Sequence, residues 1–473
     1  MTRLGTLTGG DEVVDVTGFA IDHRKVARGT IFGAFNGVRM NGEDFIADAI
    51  KAGAVAIVAR PEAQVEGAVH LAADEPRQLF AQLAARFFAP FPDVAVAVTG
   101  TNGKTSTVEL TRQLWHMAGH KAASIGTLGV TTAQDQVVTG LTTPDIVTFL
   151  SNMAGLQREG VTHAAFEASS HGLAQYRTEG LPVKVGAFTN LSRDHLDYHG
   201  TMDAYFAAKM RLFGEVVQAG GAAVIWADDE RAMEVKAIAA ARGLRIYTVG
   251  ERGTFLRLVK RTPTAMGQVL EVEVEGGAMK SIQLPLIGAY QAANVLVAAG
   301  LVIASGGDVG RTLGDISRLQ GVRGRLERAA ITRSGAPVYV DYAHTPDGLA
   351  AAIEALRPHT KGRLITLFGA GGDRDTGKRP QMGATATRLS DVVIVTDDNP
   401  RSEDAALIRR SIMAAAPGAT EIGDRRAAIA AAIAMAQGDD VVLLAGKGHE
   451  QGQIVGDRVL PFDDVQVARE CAG

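Results

Sequence analysis

The residues with the clearest chemistry form a short glycine-rich loop, T-G-T-N-G-K-T-S-T, at positions 99–107. Gly100 and Gly103 allow backbone N–H groups to turn toward an anion, and a following helix would add a favourable dipole. Lys104 has the reach for the outer phosphates of a nucleotide, and Thr105 offers a hydroxyl ligand for Mg²⁺. The loop is the short form G-x-x-G-K-[ST], which has two residues fewer than the general pattern G-x-x-x-x-G-K-[ST]. It predicts a nucleotide site.

The sequence on both sides of the loop provides the elements that would position it. Residues 94–98 read V-A-V-A-V, an uncharged apolar run that suits a buried parallel strand. After the loop, the pattern predicts a helix to about Ala118, with Gly119 at its C-terminal cap. A plain glycine turn before a helix is the structural alternative. Strand, loop, lysine and hydroxyls in this order favour phosphate binding instead.

The rest of the chain alternates short apolar runs with amphipathic stretches, which is the signature of doubly wound parallel sheets. The predicted strands lie at 54–59, 164–166, 183–188, 222–226, 338–340, 364–368, 392–395 and 441–444. Breaks at A-P-F-P and G-V-R-G-R suggest three domains, at 1–90, 91–322 and 323–473. The predicted fold class is therefore α/β. A central P-loop domain with a doubly wound parallel sheet is flanked by an N-terminal α/β domain and a C-terminal Rossmann-like domain.

Composition and charge exclude several classes of protein. The chain has 473 residues, of which 46% are apolar and 21% charged, as in ordinary globular proteins. Its net charge of −4 gives no electrostatic reason to expect nucleic acid or an anionic membrane as partner. Cys471 is the single cysteine, so no internal disulfide can form and a reducing compartment is expected. The N-terminus lacks a signal-peptide core and no run is long enough to span a bilayer, so we expect a cytoplasmic protein. We also expect a monomer.

The short phosphate loop resembles that of the Mur ligase family and of the related folylpolyglutamate synthetases. Eight further blocks, which follow one another along most of the chain, also resemble the Mur ligase family. The blocks are F-E-A-S-S-H-G-L (166–173), F-T-N-L-S-R-D-H-L-D-Y-H-G (188–200), Y-F-A-A-K (205–209), G-V-R-G-R-L-E (321–327), D-Y-A-H-T-P-D (341–347), G-A-G-G-D-R-D (369–375), D-N-P-R (398–401) and A-G-K-G-H-E (445–450). The last three resemble the branch of the family that adds diaminopimelate.

The resemblance implies a reaction as well as a fold. The expected reaction joins meso-2,6-diaminopimelate to UDP-N-acetylmuramoyl-L-alanyl-D-glutamate in peptidoglycan synthesis, with ATP converted to ADP and phosphate. A carboxylate is a poor electrophile, so the family first phosphorylates it and then lets an amine attack the acyl phosphate. The alternatives are a lysine-adding Mur ligase, a non-catalytic nucleotide-binding relative, a folylpolyglutamate synthetase and a P-loop motor or switch. A folylpolyglutamate synthetase lacks support, because those enzymes do not have S-R-D-H-L-D-Y-H-G or D-N-P-R. A P-loop motor or switch lacks support, because the loop is too short.

For catalysis, the resemblance implies roles for Lys104, Glu167, His195 and Lys209. Lys209 would react with CO₂ to give N6-carboxylysine, a carboxylate near the second of two Mg²⁺ ions, whereas a solvated or ion-paired lysine is the bland alternative. The ATP-binding residues would be Gly100, Thr101, Asn102, Gly103, Lys104, Thr105, Ser106, Asn294, Arg325, Asp341 and His344. The metal ligands would be Thr105, Glu167, His195 and Lys209.

For the two other substrates, the resemblance implies two further sets of residues. The UDP substrate would contact Ile21, His23, Thr142, Thr143, Ser169, Gln175 and Arg177. His23 stands where the family usually has serine, so the uracil contacts differ there. Diaminopimelate would contact Arg374, Asp398, Asn399, Pro400, Arg401, Gly446 and Glu450. The planar guanidinium of Arg401 suits the distal carboxylate that lysine lacks, and Glu450 can accept from an ammonium group. The alternative for N-P-R is an ordinary turn before a helix.

The phosphate loop leads to a first prediction. Lys104→Ala should abolish acyl-phosphate formation and leave UDP-substrate binding intact, because the loss of one charge-assisted contact to the transferring phosphate costs roughly 3 kcal/mol or more. Phosphate release and substrate binding, measured on the folded variant, check this expectation. Turnover at the wild-type rate would remove the loop from the ATP site.

Overall fold

The computed structural model describes residues 2–37, 40–137, 142–264 and 267–473, and the chain divides into two compact units. The first unit comprises Met1–Arg257 and Leu296–Thr312, and the second comprises Leu258–Val295 and Leu313–Gly473. The domain boundaries at 90/91 and 322/323 stay a prediction.

The N-terminal part of the first unit contains a small parallel sheet in the order β3-β4-β5-β6. Its strands are apolar and short, and α3 covers them with Phe80, Leu83 and Ala84 in the core of the unit. The elements are β1 (Thr2–Arg3), α1 (Leu4–Thr8), β2 (Asp15–Val16), β3 (Gly18–Ala20), β4 (Thr30–Gly33), α2 (Ile46–Ala52), β5 (Ala54–Ala59), β6 (Val69–Ala72) and α3 (Pro76–Phe88).

The larger sheet of the first unit has the order β10-β9-β8-β11-β7-β12-β13-β14, with every pair from β8 to β14 parallel. All six residues of β7 are buried, which explains why this strand reads as an uncharged apolar run. The elements are β7 (Val94–Thr99), α4 (Lys104–Met117), β8 (Ala122–Gly126), β9 (Gly129–Thr131), β10 (Gln136–Val137), α5 (Ile146–Arg158), β11 (His163–Glu167), α6 (Ser170–Ala174), β12 (Val183–Phe188), α7 (Leu196–His199), α8 (Met202–Arg211), β13 (Val217–Trp226), α9 (Ala232–Ala241) and β14 (Arg245–Gly250).

The second unit is built on a six-stranded sheet, β18-β19-β23-β20-β21-β22, in which only β18 runs antiparallel. Separate apolar clusters cover its two faces, one with α12 to α14 and one with α15 and α16. The elements that follow β14 are β15 (Leu256–Thr264), β16 (Gly267–Val274), β17 (Ala278–Leu284), α10 (Ala289–Ala304), α11 (Val309–Asp315), β18 (Glu327–Ile331), β19 (Pro337–Asp341), α12 (Pro346–Leu356), β20 (Leu364–Phe368), α13 (Lys378–Leu389), β21 (Val392–Val395), α14 (Ala405–Met413), β22 (Thr420–Glu421), α15 (Arg425–Met435), β23 (Val441–Ala445), β24 (Gly452–Val455), β25 (Arg458–Pro461) and α16 (Asp464–Ala472).

The predicted α/β class is confirmed, and each predicted strand falls on or inside an observed one. The sequence interpretation missed the antiparallel hairpin β16–β17, which pairs from Gln268↔Leu284 to Val274↔Ala278. The alternating pattern G-Q-V-L-E-V-E-V indicates a half-buried strand, because side chains in a strand alternate between its two faces.

Candidate active site

The carboxyl ends of three neighbouring parallel strands meet in the first unit, and the predicted phosphate loop leaves the central one. β7 lies between β11 and β12, with Glu167 opposite Val98 and Phe188 opposite Thr99. The segments that follow these strands therefore leave the sheet side by side at one edge. In open α/β sheets this is the edge where ligands bind.

The loop is held in shape by the segment that follows β12. Gly103, directly before α4, has a left-handed φ of 84°, and a Cβ on Gly100 would come within 1.9 Å of Thr189 Oγ1. The Asn102 N–H donates to Asn190 Oδ1 (2.9 Å), and Asn190 Nδ2 donates back to the Asn102 carbonyl (3.1 Å). Glycine is therefore required at position 100, because the neighbouring segment approaches too closely for any side chain.

Two lysine side chains share the carbonyl oxygen of Gly100. Lys104 Nζ donates to it at 3.0 Å and to the Thr101 carbonyl at 2.8 Å, while Lys209 Nζ donates to it at 2.7 Å. Lys209 extends from α8, is 1% exposed, and stands 4.4 Å above the ring centroid of Tyr205. Burial, and after it the charge of Lys104, hold the pKa of Lys209 well below its usual range. Both effects favour a neutral amine on Lys209.

Glu167 ends β11 and is almost fully buried at the same edge of the sheet. Its Oε1 accepts from the Thr127 N–H at 2.7 Å, and Oε2 accepts from the Thr127 hydroxyl at 3.3 Å. A Cβ on Gly126 would come within 2.1 Å of Oε1. The carboxylate thus lies against the backbone of the β8–β9 turn, in an orientation that this turn imposes.

Residues predicted to bind the UDP substrate form hydrogen bonds beside Glu167. The Thr142 hydroxyl lies 3.1 Å from the Thr127 hydroxyl. The Thr143 hydroxyl donates to the Glu167 carbonyl at 2.8 Å and lies 3.0 Å from the hydroxyl of Ser169. The candidate metal ligand and three candidate substrate residues are therefore parts of one local network.

Arg177 extends this network toward the segment of α7. Its Nε and Nη2 donate to Gln175 Oε1 (3.1 and 2.7 Å), and Nη1 donates to the Thr143 carbonyl (2.8 Å). Gln175 Nε2 in turn donates to the hydroxyl of Tyr198 (3.0 Å). Burial lowers the pKa of Arg177. A half-buried guanidinium held at three positions presents a fixed planar donor to an anionic substrate.

His195 stands at the start of α7 with a left-handed φ of 52°, and its side chain is half exposed. Its ring centroid lies 4.9 Å from that of His171 and 6.1 Å from that of Tyr205. Because Lys209 also lies against Tyr205, His195 and Lys209 flank the same aromatic ring.

The metal donors of this edge form an incomplete set. Among the described residues, no three His, Cys, Asp or Glu side chains come together as a metal site. The predicted set supplies the carboxylate of Glu167, the imidazole of His195 and the hydroxyl of Thr105, which is buried in the first turn of α4. An amine on Lys209 adds no negative charge to this set, although Mg²⁺ prefers anionic oxygen ligands.

The N-terminal block I-D-H-R forms a 3₁₀ turn, His23–Lys25, with Asp22 as its N-terminal cap. Asp22 pairs with Arg24, which lowers the pKa of Asp22 to about 2. The His23 ring stacks on Phe45 with 4.3 Å between centroids, and Ile21 is exposed beside the turn. Histidine at this position therefore adds to a flat aromatic surface where the family usually has a serine hydroxyl.

In the second unit, Asp341 ends β19 and holds the residues around Arg325. Its carboxylate accepts from the N–H groups of Leu326 (2.7 Å) and Ala343 (2.9 Å). Burial raises the pKa of Asp341 to about 6, and the charge of Arg325 opposes that rise. The Arg325 guanidinium lies over the ring of Tyr342, 5.0 Å from its centroid.

The two other predicted nucleotide contacts of this unit lie close to the same residues. Asn294 Nδ2 donates to Gln291 Oε1 (3.2 Å), and Gln291 Nε2 donates to the Arg325 carbonyl (3.0 Å). His344 Nδ1 lies 2.8 Å from the Tyr342 carbonyl, so Nδ1 carries the proton and Nε2 is the acceptor. Four of the predicted ATP contacts therefore form one cluster in this unit.

The predicted amino-acid residues come from the loops after β20, β21 and β23, which are neighbouring strands, and Arg374 is the one that follows β20. Asp398 and Asn399 are buried, and Asn399 Nδ2 donates to Glu450 Oε2 at 2.8 Å. Gly446 has a φ of 114°, and a Cβ there would come within 2.7 Å of Asp398 Oδ2. The structure thus brings these four residues together.

Arg401 has a left-handed φ of 53° and is held on both sides of its backbone. Its N–H donates to the Ile454 carbonyl (3.0 Å), and its carbonyl accepts from the Gly456 N–H (2.7 Å). Its Nη1 donates to the Gly372 carbonyl (2.8 Å), which ties it to the loop that carries the exposed Arg374. Pro400, before it, is buried. N-P-R is thus a fixed bend over the β24–β25 hairpin.

Sequence reasoning missed several residues that hold these groups in place. Asn190 and Tyr198 lie inside the block at 188–200 and Lys447 lies inside A-G-K-G-H-E, so those motifs carried a signal. Thr127, which orients Glu167, lies outside every recognised block. Its role depends on a turn between strands that only the folded chain brings beside Glu167.

The chain matches three protein-family models. They are "Mur ligase family, catalytic domain" over residues 15–95, "Mur ligase middle domain" over 98–302 and "Mur ligase, glutamate ligase domain" over 324–448. Within the described residues, no helix combines the length and apolar character that crossing a membrane requires.

Curated relatives match along nearly the whole chain. It is 60% identical over 478 residues to UDP-N-acetylmuramoyl-L-alanyl-D-glutamate--2,6-diaminopimelate ligase of Zymomonas mobilis, covering 99% of this chain and 98% of the relative. It is 53% identical over 458 residues to the protein of the same name from Caulobacter vibrioides, covering 95% and 94%. A solved structure of a ligase with this name superimposes with a TM-score of 0.76 at 31% identity, covering 100% of this chain and 98% of that one.

The position of Glu167 yields a second prediction. Gly126→Ala should lower kcat by about 10- to 100-fold, because the new methyl group displaces a carboxylate whose placement matters to within about 1 Å. The fold should survive, since the three nearest atoms all belong to the Glu167 side chain and none belongs to the backbone. Steady-state kinetics and thermal unfolding together check both parts.

Gly155→Ala, on α5 where a Cβ meets nothing within 4 Å, is the matched control and should leave kcat unchanged. Wild-type kcat in Gly126→Ala would mean that the orientation of Glu167 is not needed.

Proposed function

Because the chain belongs to the Mur ligase family, we propose that it joins meso-2,6-diaminopimelate to UDP-N-acetylmuramoyl-L-alanyl-D-glutamate and converts ATP to ADP and phosphate. The relatives that match nearly its whole length are named for this reaction. The observation that carries the proposal is that Arg401 lies two residues after Asn399, whose amide is bonded to Glu450. One bend therefore offers a guanidinium and a carboxylate to one zwitterionic amino acid.

The proposed reaction has two chemical steps. An oxygen of the D-glutamyl side-chain carboxylate attacks the γ-phosphorus of ATP, giving an acyl phosphate and ADP. The unprotonated amine of diaminopimelate then attacks the acyl carbon. The tetrahedral intermediate expels phosphate, and the nitrogen loses a proton to leave the amide.

Phosphoryl transfer depends on positioning and on neutralising charge, and the loop after β7 supplies both. Residues 100–106 present backbone N–H groups and the start of a helix to the phosphates. Lys104 donates to two loop carbonyls, and in our proposal its ammonium group binds phosphate oxygens of ATP. Arg325, Asp341, His344 and Asn294, which cluster within the second unit, are the further nucleotide contacts that we propose.

Mg²⁺, two ions in our proposal, would be held by Thr105, Glu167, His195 and a carbamylated Lys209, and it would supply charge neutralisation at the phosphates. Three observations support the carbamate: the amine of Lys209 is buried, its pKa is depressed, and it shares a carbonyl with Lys104. Addition of CO₂ to the neutral amine releases one proton and creates an anion. That anion would remove the repulsion with Lys104 and complete the anionic ligand set.

The muramyl-dipeptide substrate would lie along the network of Thr142, Thr143, Ser169, Gln175 and Arg177. Thr143 is bonded to Glu167, Ser169 and Arg177, and Thr142 is bonded to Thr127, which also holds Glu167. The carboxylate to be phosphorylated would therefore arrive next to the candidate metal ligand. Its uridine would lie near Ile21 and His23, where the stacked imidazole offers a flat surface. We place the enzyme in the cytoplasm as a monomer, within peptidoglycan synthesis.

A lysine-adding ligase is the second candidate, and the distal carboxylate separates the two. Lysine would leave Arg401 without an anionic partner. Burying an unpaired charged group costs free energy, so the site discriminates against lysine.

Carbamylation of Lys209 yields the third prediction. Lys209→Ala should lose most activity, and formate or acetate should restore part of it, because a small carboxylate can occupy the vacated space and supply negative charge. A cationic lysine could not be replaced by an anion. The measurement is kcat of the variant over a series of carboxylate concentrations, with sodium chloride at equal ionic strength as control. No restoration by any small carboxylate, with unmodified Lys209 in bicarbonate-grown crystals, would reject the carbamate.

The fourth prediction concerns the choice of amino acid. Arg401→Ala should raise the KM for meso-diaminopimelate by about 10- to 100-fold, since a charge-assisted pair is worth roughly 1.5–3 kcal/mol. Arg401→Lys should restore little, because an ammonium group lacks the bidentate fork. The ratio of kcat/KM for meso-diaminopimelate to that for L-lysine is the measurement, with ATP and UDP-substrate constants as internal controls. If that ratio is the same in variant and wild type, Arg401 does not bind the distal carboxylate.

A further inference from the structure

Lys447 is a fully buried lysine in the second unit, inside the block A-G-K-G-H-E and in the same loop as Glu450. Its side chain is 0% exposed. A buried ammonium group is costly unless several acceptors surround it, so its contacts reveal what it holds in place.

The contacts of Lys447 converge on the amino-acid site. Its Nζ donates to Asn399 Oδ1 at 2.9 Å and to the Gly452 carbonyl at 2.7 Å. Two carboxylates lie just beyond, with Asp398 Oδ1 at 3.6 Å and Glu450 Oε2 at 3.7 Å. The Lys447 carbonyl also accepts from the Glu450 N–H at 3.0 Å, so main chain and side chain both reach Glu450.

The Asn399 amide has its orientation fixed by these contacts. Oδ1 accepts from two donors, Lys447 Nζ and the Ile454 N–H (3.0 Å). A rotated amide would direct N–H groups at both donors, so Nδ2 has to face the opposite side. On that side it donates to Glu450 Oε2 at 2.8 Å.

Glu450 receives both the hydrogen bond and the charge. Burial raises the pKa of Glu450 and the charge of Asp398 adds to that rise, whereas the Asn399 hydrogen bond and the charges of Lys447 and Arg401 oppose it. Both the Asn399 amide and the Lys447 ammonium group lie on the Oε2 side of this carboxylate. The carboxylate can therefore use Oε1 to accept from an ammonium group.

We infer that Lys447 is a positioning residue of the amino-acid site, which acts through Asn399 to hold Glu450 as an oriented acceptor for an ammonium group of the incoming diamino acid. The inference rests on the proposed function. Lys447 acts through Asn399 and not by contact with the substrate, since its side chain is fully buried beneath that amide.

The experiment compares Lys447→Met with Lys361→Met, an exposed lysine of the same unit as matched control. Lys447→Met should raise both the KM and the calorimetric Kd for meso-diaminopimelate by about 10-fold or more, because a charge-assisted contact is lost. The KM values for ATP and the UDP substrate should stay within about twofold of wild type, as expected when the lost contact serves one substrate only. A purely structural role would instead weaken all three substrates together with the unfolding temperature.

A double-mutant cycle tests the path through Asn399. If Lys447 acts through that amide, Lys447→Met should cost little in an Asn399→Ala background, so the two losses should not multiply. Fully multiplicative losses would overturn the inference.

Asn399→Asp provides an independent variant if Lys447→Met does not fold. It keeps an acceptor for Lys447 but removes the donor to Glu450, so the Kd for meso-diaminopimelate should again rise about 10-fold. Wild-type affinity in this variant would overturn the inference. If the wild-type enzyme neither binds nor consumes meso-diaminopimelate, the proposed function is refuted together with the inference. If the wild-type enzyme does both but the variants behave like wild type, only the inference on Lys447 is refuted.

Discussion

The carbonyl oxygen of Gly100 accepts hydrogen bonds from two lysine side chains, and most of the candidate active site depends on this contact. It lies where β7 ends, in a loop that can pass Thr189 only because position 100 has no side chain. Lys104 reaches it from the first turn of α4 and Lys209 from α8, so two helices converge on one backbone atom. Two ammonium groups so close repel each other in a buried place. A neutral amine on Lys209 relieves that repulsion, and a neutral amine is also the form that reacts with CO₂.

The parallel sheet places the remaining groups around this point. Because β11 and β12 flank β7 in register, Glu167 and the segment that begins at Thr189 emerge on either side of the loop. Glu167 is then oriented from β8 and bonded, through Thr143, to the residues that would hold the muramyl dipeptide. In our proposal this one sheet edge therefore serves the nucleotide phosphates, the metal and the carboxylate to be phosphorylated, since the residues for all three lie on neighbouring strands and the turns beside them.

In our proposal the second unit has a different task, the recognition of a zwitterionic amino acid. Its loops after β21 and β23 carry both signs of charge close together, and a buried lysine keeps the carboxylates in place. The left-handed backbone of Arg401 is bonded on both sides to the hairpin that follows β23, so the hairpin and D-N-P-R form one element. Such a rigid arrangement suits selectivity, because a fixed donor left without its partner penalises the wrong amino acid more than a mobile one would.

The sequence by itself determined the α/β class, the positions of nine strands, the phosphate loop and the helix after it, because apolar periodicity and glycine spacing are local properties that a linear pattern preserves. It also pointed to Lys209 and Arg401, although only through resemblance, since a lysine in a helix and an N-P-R turn have no chemistry of their own. Tertiary structure alone decided that Lys209 is buried beside Lys104, that Thr127 orients Glu167, and that Lys447 lies beneath Asn399 and Glu450. These contacts join residues far apart in the chain, and burial and pKa shifts arise only when distant segments exclude water from one another.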